Sequence, residues 1–170
     1  EITNFMGYAQ ESKSKAQLQS AGLIGEVFLE SRPQGAHISD VFVQTSTRKG
    51  EIALEVEIKD LLAAGDIQFS ASITDAAGGE VKVFAQTVPG ILKGTQVLKL
   101  SSPWSDAKFW DLDQPNLYTL RLSATGSGLN DQFAVRFGFR EVWIEGRDIF
   151  LNGTPLRLRP VLLDSGRGQA

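Results

Sequence analysis

A chain of 170 residues with 42% hydrophobic and 22% charged side chains holds enough apolar material for a packed domain and does not have the composition of a disordered segment. Its formal net charge of −3 removes the electrostatic case for a nucleic-acid or anionic-membrane partner, and no apolar stretch approaches the roughly 20 residues of a membrane-crossing helix. With no cysteine there is no disulfide, no thiol nucleophile and no thiolate metal site, which leaves the cellular compartment open.

The opening Glu1-Ile2-Thr3-Asn4 lacks both the basic-then-apolar start of a signal peptide and an initiator Met, so the chain is expected to be cut from something longer. Gln10 to Gln17 is polar without a strand period and reads as a loop. From Ile38 onward the dominant period is two. Ile38 to Val43 is the first predicted strand. Ile52, Leu54, Val56 and Ile58 alternate with Ala53, Glu55, Glu57 and Lys59, the cleanest half-buried strand in the chain. Asp60 to Ala64 is at most one helical turn. Ile67, Phe69, Ala71 and Ile73 form the next apolar face, Asp75 to Glu80 supplies turn chemistry, and Val81, Val83 and Ala85 are expected to resume that face, which makes a hairpin.

Val97 to Leu100, Tyr118 to Ala124 and Phe133 to Phe139 complete a set of about seven short strands separated by Gly, Pro, Asp and Ser. This pattern predicts an all-β fold, an immunoglobulin-like antiparallel β-sandwich. Phe133, Val135, Phe137 and Phe139 keep one phase while Val142 and Ile144 hold the other, so a bulge or a strand end is expected near Arg140. Glu145 to Asp148 reads as a turn, Ile149 to Leu151 as a strand, Asn152-Gly153 as a tight turn, and Asp164 to Ala170 as a tail.

Few residues invite chemistry. Glu55 and Glu57 share a strand face, but it is the face opposite the apolar one, where nothing would raise one carboxyl above the other. Asp111 and Asp113 precede a Pro-containing turn and suit turn capping better than calcium. His37 is the sole histidine, too few for a nitrogen-rich metal site, and reads as structural or merely exposed. Asn152-Gly153-Thr154 matches a glycosylation sequon, which turn chemistry already explains. Trp104, Phe109, Trp110 and Tyr118 serve either core packing or a sugar-stacking platform. No cofactor is implied.

Three motifs in order, Phe109-Trp110-Asp111-Leu112-Asp113-Gln114-Pro115-Asn116-Leu117-Tyr118-Thr119-Leu120, then Phe137-Gly138-Phe139-Arg140, then Leu151-Asn152-Gly153-Thr154-Pro155, resemble the sandwich domain of glycoside hydrolase family 2, the β-galactosidase, β-glucuronidase and β-mannosidase enzymes. The resemblance implies that 1–33 is the tail of a preceding jelly-roll domain with its linker, Gly22 to Glu30 being that domain's last strand. It implies that 34–144 is the sandwich and that 145–170 begins a catalytic barrel. Family members hydrolyse glycosides with two carboxylates roughly 5 Å apart. Both are barrel glutamates, so no catalytic residue transfers here.

The implied function is a non-catalytic scaffold in a β-galactosidase-like parent, whose partners are the neighbouring jelly-roll and barrel domains and whose substrate is a carbohydrate. Trp110 and Tyr118 match positions that pack the sandwich. Trp104 has no such match, which makes it the candidate exposed sugar or partner contact. Arg140, at the junction, is the candidate interdomain contact. Arg159-Pro160 replaces the usual Arg-Gly and no His follows, so the parent's sugar pocket is expected to differ. The rival readings are a stand-alone carbohydrate- or protein-binding sandwich and a fibronectin-like adhesion module.

Overall fold

The computed structural model describes residues 34–158. The expected jelly-roll tail, the Pro160 substitution and the C-terminal tail lie outside the described residues.

The period-two segments become strands. β1 (His37–Ser46), β2 (Glu51–Leu61), β3 (Gly65–Thr74), β4 (Glu80–Ile91), β5 (Gly94–Pro103), β6 (Tyr118–Gly126) and β7 (Leu129–Phe137) build two antiparallel sheets in the orders β1-β2-β5 and β4-β3-β6-β7. Three further strands, β8 (Val142–Glu145), β9 (Asp148–Leu151) and β10 (Thr154–Leu156), make a small sheet of their own. No helix occurs among the described residues, and Asp60, at φ 57°, lies inside β2 where its register against β5 shifts between Ile58 and Leu61.

The alternation of β2 is realised in full: Ile52, Leu54, Val56 and Ile58 are completely buried, facing Ile67, Ile73, Leu120 and Leu122 of the opposing sheet's strands in one core. A two-layer sandwich needs one apolar face per strand, and these branched side chains supply it on a pleat that suits them.

In β4 the expected face is reversed. Val83 lies opposite Ser72 and Ala85 opposite Ser70, so both share the outward face of β3, while Phe84 lies opposite Ala71 and packs against the core. Val83 is accordingly 54% exposed. The register shifts at the turn, where Ile73 meets Lys82 but Thr74 meets Glu80, leaving Val81 as an extra residue. A one-residue slip exchanges the two faces of a strand, and burying Phe84 removes more apolar area from water than burying a valine. Inward-side Lys82 escapes the layer by turning its ammonium to the Pro103 carbonyl at 2.7 Å.

The phase slip near Arg140 is a strand end. β7 stops at Phe137, and β8 starts at Val142 in the other phase because it pairs with β9, Val142 opposite Leu151. The small sheet begins at Val142.

Truncating the inner face of β2 should cost far more than truncating its outer face. Leu54→Ala is expected to lower stability by about 2–5 kcal/mol. Glu55→Ala loses only an ion pair with Lys99, a residue 78% exposed, and should change stability by less than about 1 kcal/mol. Urea midpoints of the two variants decide it; equal midpoints would mean the faces are misassigned.

Candidate functional site

Where β7 ends, the chain must leave one sheet and enter another, and the side chains that satisfy its backbone there form a joint between the sandwich and the small sheet. Its first element is the loop from Trp104 to Leu117. Tyr118 anchors that loop: its hydroxyl accepts from the Lys108 N–H at 2.8 Å and donates to the Lys108 carbonyl at 3.1 Å. Burial pushes the Tyr118 hydroxyl up, which keeps it protonated and able to donate. Within the loop Asp111 Oδ1 accepts from the N–H groups of Asp113 and Gln114, the capping role its spacing implied. Trp110 N–H donates to the Phe139 carbonyl at 2.9 Å, laying the loop against the end of the last sandwich strand.

Gly138 makes that contact possible. A Cβ there would stand 2.8 Å from Cβ and 2.9 Å from Cγ of Trp110, closer than carbon atoms approach without displacement. Phe139 on the other side is fully buried, 5.4 Å from Trp104 edge to face and stacked at 5.7 Å on Phe109.

Asn152 and Glu141 close the joint. The Asn152 side chain uses both ends: Nδ2 donates to the Trp110 carbonyl at 2.8 Å and Oδ1 accepts from the Glu141 N–H at 2.9 Å. Its own N–H donates to the Glu141 carbonyl at 2.9 Å. The turn geometry fits, since Asn152 and Gly153 sit at φ 51° and 89°, the positive values a two-residue hairpin turn of this kind demands.

The Glu141 carboxylate reaches back to the turn after β1. It accepts from Ser46 Oγ at 3.0 Å, Thr47 Oγ1 at 3.2 Å, the Arg48 N–H at 3.1 Å and Arg48 Nε at 2.8 Å, with a second guanidinium nitrogen completing a two-pronged grip. Burial alone would raise this carboxyl. The Arg48 side chain and backbone, with Ser46, outweigh it and hold the carboxyl at about 2. Arg48 also lies 4.5 Å above the Trp143 ring, which stacks on Phe150 at 5.6 Å.

Arg140 stands in the middle of this joint with an exposed side chain. Its guanidinium lies 4.8 Å over the Trp110 ring, while its backbone is tied to β1 in both directions through Thr45 Oγ1, at 2.7 Å and 3.0 Å. Trp104 is placed differently from expectation. It is 4% exposed and lies in the core, 5.0 Å from Tyr118, so it is no surface contact for a sugar or a partner. The reason is register: Leu98, Leu100 and Ser102 are the buried positions of β5, and Trp104 continues the same alternation.

His37 is buried, its Nδ1 2.7 Å from the Gly35 carbonyl. Glu57 accepts from Ser39 Oγ, which lowers its carboxyl, the opposite of what a general acid needs. Glu141, Arg48 and Thr45 were not singled out in the sequence. The one signal for Glu141 is its place at the phase slip, and nothing local marks its partners some 93 residues earlier.

A sequence model described as "Glycosyl hydrolases family 2" matches residues 36–140. A β-galactosidase of Thermoanaerobacterium thermosulfurigenes is 33% identical over 98 residues, covering 56% of this chain and 13% of that protein. A β-galactosidase of Priestia megaterium is 28% identical over 162 residues, 88% of this chain and 16% of that protein. Among solved structures, a glycosyl hydrolase family 2 member from Bacteroides cellulosilyticus superposes with a TM-score of 0.63 at 18% identity, over 73% of this chain and 18% of that one. A β-glucuronidase of Bacteroides uniformis gives 0.56 at 19%, over 75% of this chain and 17% of that one. The chain thus spans less than a fifth of the length of these relatives.

Two measurements test the joint. Gly138→Ala should destabilise by about 1–3 kcal/mol, because a methyl there must push Trp110 off Phe139; an unchanged melting midpoint would overturn the contact. The second is pH. A carboxyl held at about 2 in the folded chain against 4.5 ordinarily adds stability that is complete above 4.5 and lost as pH falls toward 2. The gap between the native chain and Glu141→Gln in urea melts should therefore be widest near neutrality and shrink across that window.

Proposed function

We propose, from the premise that this chain belongs to family 2 of the glycosyl hydrolases, that it serves as the non-catalytic immunoglobulin-like domain of a longer glycosidase cleaving O-glycosidic bonds, β-galactosidase-like in substrate class. Its work is to hold the domains beside it in a fixed relation. The observation that carries this reading is the joint: Glu141 and Asn152 fasten the small sheet to the end of the sandwich through side chains that reach backbone groups of three separate segments. A sandwich that acted alone would need no such fastening at one end. The small fraction of each relative that the chain spans supports placing the catalytic carboxylates in other parts of the whole protein.

Arg140 is proposed as the contact to a neighbouring domain. Its backbone is fixed by Thr45 and its guanidinium is held over Trp110, so an exposed charged group with several N–H donors is presented in a fixed direction at the joint. In the chain alone Arg140→Ala gives up an exposed cation–π contact and should cost less than about 1 kcal/mol. In the full-length protein the same change should cost more, since a charged hydrogen bond is worth about 1.5–3 kcal/mol. Equal losses in both melts would show that Arg140 acts inside the domain. Turnover of a nitrophenyl galactoside or glucuronide by this chain alone, abolished by a substitution within it, would overturn the scaffold reading.

A further inference from the structure

Asn152 carries chemistry of its own. No other asparagine in the chain precedes a glycine. Glycine, having no Cβ, leaves its backbone nitrogen unhindered, so an Asn-Gly pair can react with itself. The Gly153 nitrogen, after losing its proton to hydroxide, attacks Asn152 Cγ. A C–N bond forms, the Cγ–Nδ2 bond breaks, and Nδ2 leaves as ammonia. Water then opens the resulting five-membered imide at either carbonyl, giving aspartate or isoaspartate, with no oxidant or reductant involved.

In the folded chain both ends of the side-chain amide are held by hydrogen bonds. Nδ2, the atom that must leave, donates to the Trp110 carbonyl, and Oδ1 is held by the Glu141 N–H. Solvent and base have access nonetheless, because Gly153 and Thr154 at the turn are exposed. Hydrogen bonds of the joint, not burial, separate Asn152 from its reaction.

We propose that Asn152 is a latent self-modification site, closed while the joint is intact and reactive whenever it opens. The change runs one way. An aspartate would set a carboxylate oxygen against the Trp110 carbonyl oxygen that Nδ2 now serves, and an isoaspartate would add a backbone atom to a two-residue turn. Either product keeps the joint from closing again, so the residue records its own opening.

The chain, incubated at mildly alkaline pH folded and in urea, tests this. Peptide mass mapping reads the replacement of nitrogen by oxygen at residue 152, and isoaspartyl content reads the second product. The expected result is a rate at Asn152 that is about tenfold or more slower in the folded chain, as a local opening equilibrium imposes. Arg48→Ala, which removes the guanidinium grip on the Glu141 carboxylate without touching the core, should react at an intermediate rate; Thr45→Val makes the same comparison should that variant not fold. Equal rates folded and in urea, no reaction at Asn152 in urea, or variants that react only as slowly as the native chain would each overturn the proposal.

Discussion

At Phe137 a strand runs out of partners, and the backbone that follows must cross to another sheet with its polar groups still satisfied. An unpaired buried N–H or carbonyl costs as much as a lost hydrogen bond. Every feature of the joint answers that demand. The Phe139 carbonyl is taken by Trp110, both backbone groups of Arg140 by Thr45, and both backbone groups of Glu141 by Asn152. Gly138 is a glycine because Trp110 must come that close, and Asn152 is an asparagine because one side chain must donate and accept at once. Without this satisfied crossing the small sheet would hang from the sandwich by a free tether.

The fold was largely legible because core strands announce themselves locally. The alternation of β2 and β3 could be read directly, since one strand face is apolar and the other is not. It failed where two faces compete. In β4, Val81 and Val83 look like a face by themselves, and only the cross-strand pairing of Phe84 with Ala71 shows that they point out. Trp104 lies beyond the Val97 to Leu100 segment that reads as a strand, yet β5 runs on to Pro103 and its inward phase, through Leu100 and Ser102, reaches the tryptophan.

The joint was partly legible. Gly138, Trp110 and Asn152 stand inside the motifs that carry the family resemblance, though nothing in those motifs says that the three meet. Glu141 is marked only by its place at the phase slip and Arg48 by no local pattern, because their partnership depends on the sandwich bringing the turn after β1 beside the end of β7. The Asn-Gly pair is a turn signal in its own right, and that sufficiency hid its second task as the bridge to Trp110 and Glu141.

The bonds from Thr45 to Arg140 and from Arg48 to Glu141 join residues 95 and 93 positions apart. Contacts of such sequence separation are slow to gain, because the loop they close must be ordered before they repay it. The hairpins β3–β4 and β6–β7 pair residues close in sequence, so they are expected to form before the clasp. The clasp is therefore expected to close late, after the folding barrier. A damaged clasp is accordingly expected to leave the rate of assembly nearly untouched and to shorten the lifetime of the finished molecule.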